Sequence, residues 1–250
     1  FPQYQIYPHQ NFNQEVNYLK ETCNFDGEAY VLGPLSGDHW FIYVWDDCDR
    51  PMVESQDRTL NIMMYDLDVE ATKIFWKNKN SEDNNDVNSN IEGGRSISQL
   101  WELLPGAKVH DYLFDPCGYS LNGLLNDAYV TIHVTPEDSF SYASFETNVR
   151  TESYLSLVKS VIAFFKPNRF SMTFFVDEGA LLAKTAIPTD LISIEIGTNQ
   201  KEIWSRTTKC QTSFAADYHC MMANYVCQED ATNKTIVRSH NISNEKKQEI

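Results

Sequence analysis

Val130-Thr131-Ile132-His133-Val134-Thr135 alternates without a break between apolar and polar side chains. A strand repeats every two residues, so Val130, Ile132 and Val134 fall on one face and Thr131, His133 and Thr135 on the other. Pro136 then marks a bend or an edge. A second alternating stretch follows, in which Phe140, Tyr142, Ser144 and Glu146 share a face. The link between the two stretches is too short for a parallel crossover, so they are expected to pair antiparallel.

Reading outward from this pair, residues 151–165 predict an amphipathic helix. Thr151 or Ser153 stands at its cap, Leu155, Val158, Ile162 and Phe165 form its stripe, and Pro167 lies past its end. Residues 171–176, 191–196 and 218–227 predict further strands. Toward the N-terminus, 29–32 and 40–45 predict two strands joined by the turn-forming Gly33-Pro34-Leu35-Ser36-Gly37-Asp38. In residues 59–76, Leu60, Met63, Met64, Leu67, Ile74 and Phe75 are spaced as on a helix. A short helix is expected over 96–104. Residues 78–94 are rich in Asn, Asp and Ser and predict a polar surface loop, and residues 228–250 predict a polar, disordered tail. The expected fold is therefore α+β, with antiparallel sheets carrying helices on their outer faces, in one domain over residues 1–227.

Composition narrows the functional classes. The 250 residues carry a net charge of −15, which excludes the Lys/Arg surface that nucleic acid requires. No stretch approaches the roughly 20 apolar residues of a membrane helix. The six cysteines form no CxxC pair and no zinc spacing, so reduced thiols in the cytosol and no metal are expected. The chain opens on Phe1 with no charged-then-apolar leader, so a processed chain or a fragment is expected.

Few residues stand out chemically. In Phe114-Asp115-Pro116-Cys117-Gly118-Tyr119-Ser120-Leu121-Asn122-Gly123, Gly118 allows a sharp turn or a close ligand approach, and an ordinary turn around a buried Cys fits equally. His133 is placed to act as a general acid or base, or to serve as a satisfied structural residue. Glu137 and Glu146 lie near it among aromatics, where they are either solvated or part of a pocket.

Two runs decide between these readings. Thr131-Ile132-His133-Val134-Thr135-Pro136-Glu137-Asp138-Ser139-Phe140-Ser141-Tyr142-Ala143-Ser144-Phe145-Glu146-Thr147-Asn148 and the run Phe114–Gly123 resemble two signatures of eukaryotic S-adenosylmethionine decarboxylases. Weaker similarity extends through Tyr7-Pro8-His9, Asp38-His39-Trp40 and Phe165-Lys166-Pro167. The resemblance implies a four-layer α-β-β-α sandwich of two antiparallel sheets, incomplete here at its N-terminus. It implies decarboxylation of S-adenosylmethionine for spermidine and spermine synthesis. The cofactor it implies is a covalent pyruvoyl group, formed by self-cleavage at a Glu-Ser bond upstream of this sequence, which binds the substrate amine as a Schiff base.

Residue by residue, Phe114 matches an aromatic stacked on the adenine, and Glu137 a carboxylate that accepts from the ribose hydroxyls. Ser120 and His133 match the hydroxyl and imidazole of self-processing. Asp57, Thr59, Glu146 and Phe175 match a putrescine pocket. A further acidic position of that pocket is Asn61 here, so Coulomb attraction for a dication is reduced and putrescine activation is not expected. The implied partners are S-adenosylmethionine and the family's smaller N-terminal subunit, with a homodimer open because members occur in both states. This chain alone is expected to release no carbon dioxide. The alternative is a catalytically inactive paralogue that binds and activates a decarboxylase partner.

Overall fold

Leu60, Ile62 and Met64 are fully buried, while Thr59, Asn61 and Met63 between them point to the opposite side. This two-residue repeat makes Arg58–Leu67 a strand, here β3. The helix expected over 59–76 is thus corrected. Leu60, Met63, Met64 and Leu67 do satisfy helical spacing, but pairing with neighbours on both sides overrides it. Only the end of the segment is helical. Asp68 accepts a hydrogen bond from Ala71 N to cap α2 (Val69–Thr72), and a 3-10 turn continues through Lys73–Phe75.

The computed structural model describes residues 4–46, 56–77, 91–92, 95–182, 202–214 and 218–229. Its centre is an eight-stranded antiparallel sheet. Besides β3 it contains β6 (Lys108–Leu113), β7 (Tyr119–Leu125), β8 (Ala128–Thr135), β9 (Tyr142–Thr147), β10 (Pro167–Asp177), β11 (Glu202–Ser213) and β12 (Tyr218–Glu229). The order across the sheet is β11-β12-β10-β3-β9-β8-β7-β6. Among the described residues the other strands are a two-stranded sheet, β1 (Glu28–Leu32) with β2 (Trp40–Val44), and a small β4 (Ile91–Glu92)–β5 (Arg95–Ser96) pair.

The layers follow from which side chains are apolar. One face of the large sheet carries Leu60, Ile62, Leu121, Ile132, Phe145, Phe174 and Tyr225 against α3 (Tyr154–Phe165). Helix α3 buries Val158, Ile162 and Phe165 as expected and Tyr154 and Val161 besides, while Leu155 is only partly buried, and Ser153 is the capping residue. Lys166 ends it in the left-handed region at φ 46°, and Pro167 opens β10. The 3-10 helix at Ile97–Leu103, capped by Ser96, packs against the same core where a short helix was expected. Over the other face, Leu32, Tyr30, Trp40 and Ile42 of the β1–β2 sheet meet Phe214, Cys220 and Met222. Outside that hairpin lies α1 (Phe12–Thr22), with Phe12 stacked on Phe41 at 5.0 Å. The order helix, sheet, sheet, helix is the sandwich the resemblance implied.

A polar clamp fixes the hairpin to the large sheet. Arg169 donates to Asp66 at 3.0 Å and to Asp38 at 3.1 Å, and Asn224 Nδ2 donates to the Asp38 carbonyl at 2.9 Å. The strand expected at 191–196, most of the polar tract 78–94 and the tail beyond 229 lie outside the described residues. Among the described residues no helix is long and apolar enough to cross a membrane.

Candidate active site

The four strands β6 to β9 form a meander, so residues far apart in sequence come to lie side by side. Tyr112 pairs with Ser120, Ser120 with His133, and His133 with Ser144. All four point away from the α3 core, because Tyr119, Leu121, Ile132, Val134 and Ala143 take the other face. Within this row Ser120 Oγ and His133 Nδ1 are 2.9 Å apart. His133 is exposed and Ser120 half-buried. With the ring proton on Nε2, the hydroxyl donates to Nδ1 and Nε2–H faces outward.

Above the row, the chain leaves β6 through a loop held at several points. Phe114 N–H donates to the Gly118 carbonyl at 2.8 Å, Gly118 N–H to Phe75 O at 3.0 Å, and Lys77 N–H to Pro116 O at 2.9 Å. Gly118 sits at φ 108°, a conformation that strains any residue with a Cβ, so its glycine is a backbone requirement. Phe114 projects from this loop about half exposed, on the same face as Tyr112 and Ser120. The loop after β8 comes alongside. The Cys117 thiol is pushed up by burial and then by the charge of Glu137. Glu137 Oε2 is buried with no hydrogen-bond partner. A buried carboxylate oxygen left unpaired is costly unless a ligand supplies donors.

A second polar group lies one row down on the same face. Thr173, Asn61, Glu146 and Thr131 are successive cross-strand partners. Glu146 is held at both oxygens, by Asn61 Nδ2 at 2.7 Å and by the Tyr129 hydroxyl at 2.7 Å. The Tyr129 phenol is pushed up to about 12, by burial first and then by its bond to Glu146 and that group's charge. Thr59 pairs with Phe175, and the Tyr218 hydroxyl donates to Asp57 at 2.8 Å.

The structure therefore gathers the residues singled out from the sequence into two clusters. Phe114, Ser120, His133 and Glu137 lie around the β6–β8 end, and Asp57, Thr59, Glu146 and Phe175 around β3 and β10. Tyr112, Tyr129 and Tyr218 belong to the same face and were not anticipated. Their placement depends on strand register, which no local motif reports.

Comparison with known proteins bears on the family and the fold. The family model described as adenosylmethionine decarboxylase matches residues 1–226. The S-adenosylmethionine decarboxylase proenzyme of Dictyostelium discoideum is 43% identical over 180 residues, covering 72% of this chain and 45% of that protein. The proenzyme of Drosophila melanogaster is 38% identical over 237 residues, covering 90% of this chain and 64% of that protein. This chain thus spans between about half and two-thirds of the length of these curated relatives. Among solved structures, that of a Trypanosoma brucei AdoMetDC-delta26 monomer superposes with a TM-score of 0.61 at 25% identity, covering 92% of this chain and 81% of that one. With the family model matching nearly the whole chain and relatives 43% and 38% identical to it, the chain belongs to the adenosylmethionine decarboxylase family.

Proposed function

We propose that the chain supplies the nucleoside-binding and self-processing half of a cytosolic S-adenosylmethionine decarboxylase. The observation that carries this reading is the 2.9 Å Ser120–His133 bond, set on the same open face as Phe114 and the unpartnered Glu137 carboxylate. A flat aromatic beside a carboxylate that lacks donors suits an adenosyl group, with ring stacking on one side and ribose hydroxyls on the other. A hydroxyl–imidazole pair suits the movement of one proton at a bond being cut.

These residues fit the pyruvoyl cofactor of the family. When present, that group supplies the electron sink for loss of carbon dioxide. This chain's own contribution is to hold the substrate and move protons. Phe114 and Glu137 bind the nucleoside end, Ser120 offers a hydrogen bond at the scissile segment, and His133 removes the proton that completes cleavage. The direct test is carbon dioxide release from carboxyl-labelled S-adenosylmethionine by the protein expressed from its full reading frame. Release supports the reading, and its absence from a folded protein contradicts it.

Glu137→Gln keeps the shape but removes the charge that strengthens hydrogen bonds from ribose. It is expected to raise KM for S-adenosylmethionine about tenfold or more with kcat little changed. Steady-state kinetics on the cleaved protein checks this.

In the second cluster the Glu146 carboxylate keeps its charge but already has neutral donors, Asn61 and Tyr129, on both oxygens, and Asn61 adds no second charge to attract a dication. Added putrescine is accordingly expected to leave the decarboxylation rate unchanged, and a severalfold stimulation would overturn this reading of Asn61.

A further inference from the structure

Phe114 stands just beyond the last paired residues of β6 and β7, Leu113 and Tyr119. Its backbone is fixed by the bond from its N–H to the Gly118 carbonyl, but its ring is 45% exposed. An exposed ring rotates unless something restrains it, and stacking on a ligand is lost in the other rotamers. Gly118 has no Cβ and leaves that side of the ring open, the position a Cβ would take lying 3.7 Å from Phe114 Cδ2. The ring that does touch Phe114 is Tyr112. Its ring meets Phe114 edge-on, with centroids 4.9 Å apart and planes at 72°. Tyr112 belongs to the paired part of β6, directly opposite Ser120, so its own backbone is rigid. It is nonetheless 52% exposed, which makes core packing a poor account of its size.

We infer that Tyr112 is a positioning residue, whose ring edge holds Phe114 in the orientation that stacks on the adenine of the substrate. This rests on the proposed nucleoside-binding role of Phe114 and adds a residue to it. Tyr112 is also the cross-strand partner of Ser120, which fixes the position of its backbone in the sheet.

Edge-to-face pairs add modestly to ring packing, so the expected effect is measurable rather than total. Tyr112→Ala should weaken binding of 5′-methylthioadenosine, followed by calorimetry, about threefold to tenfold, and raise KM for S-adenosylmethionine to match. The kcat and the extent of self-cleavage should stay within about twofold, because nothing that reacts is removed. Tyr112→Phe keeps the ring and should restore wild-type binding. Unchanged binding in Tyr112→Ala overturns the inference, as does a Tyr112→Phe variant as weak as the alanine one.

The underlying reading fails separately. A protein that binds the nucleoside in a Tyr112-dependent way but does not decarboxylate contradicts the decarboxylase proposal and keeps Tyr112 in its role. Decarboxylation with Tyr112-independent binding does the reverse. A wild-type protein that binds no nucleoside overturns both.

Discussion

His133→Ala, introduced into the full reading frame, is expected to leave the protein as a single uncut chain. The ring of His133 is hydrogen-bonded to Ser120 and accessible, so its removal costs little folding energy. It does remove the one imidazole in the row formed by Tyr112, Ser120, His133 and Ser144. Loss of a positioned acid–base group slows a proton-limited step by about 10²- to 10⁴-fold, enough to turn cleavage during expression into cleavage over days. Denaturing electrophoresis over time reads this, with the melting temperature as control. Rapid cleavage in a folded His133→Ala protein would remove His133 from self-processing. Ser120→Ala should slow cleavage in the same direction, because the imidazole then loses its partner.

The second large effect concerns stability. Phe145 is fully buried in β9, directly between Ile62 of β3 and Ile132 of β8. Its neighbours along the strand, Ser144 and Glu146, point into the two polar clusters. Phe145→Ala removes a ring and leaves a cavity that paired strands on both sides cannot collapse, costing about 3–5 kcal/mol. For a chain of this size that corresponds to a drop of roughly 10 °C in Tm. Calorimetry or circular dichroism checks it. A shift of about a degree would mean that β9 is not a central strand. Because Glu146 is carried by the same strand, the variant should also loosen the Asn61–Glu146–Tyr129 network.

How much of this was legible beforehand depended on local pattern. The alternation through Val130–Thr135 and the stripe of α3 were readable because each element buries one face and exposes the other. The β1–β2 hairpin was readable from its turn chemistry. Residues 59–67 were misread because Met63, partly buried on the site face, completes a helical spacing with Leu60, Met64 and Leu67. A strand covered to different degrees on both faces loses its clean alternation. β6 and β7 give no clean strand signal, since their exposed face mixes Tyr112 with Ser120 and Asn122 rather than carrying a uniform polar pattern.

The same distinction holds for the site. His133, Glu137 and the run Phe114–Gly123 stand out from the residues alone only as open alternatives, and resemblance to a family assigns roles to Phe114, Ser120, His133 and Glu137. What the sequence could not convey was adjacency across strands. Tyr129 closing on Glu146, Tyr218 on Asp57 and Tyr112 beside both Ser120 and Phe114 each require a register set by the whole sheet. Asn61 was readable as a lost charge. Its role as a donor to Glu146, which lets the carboxylate be satisfied without a cation, needed the structure.

The most direct test of the central claim is the intact mass, under denaturing conditions, of the protein expressed from its full reading frame. Two chains, with the larger one beginning at a pyruvoyl group, are the predicted result. They would show that the Ser120–His133 pair belongs to a working self-processing site. A single unprocessed chain of full mass from a folded protein would contradict that claim, and would point to a family member that acts through an active partner.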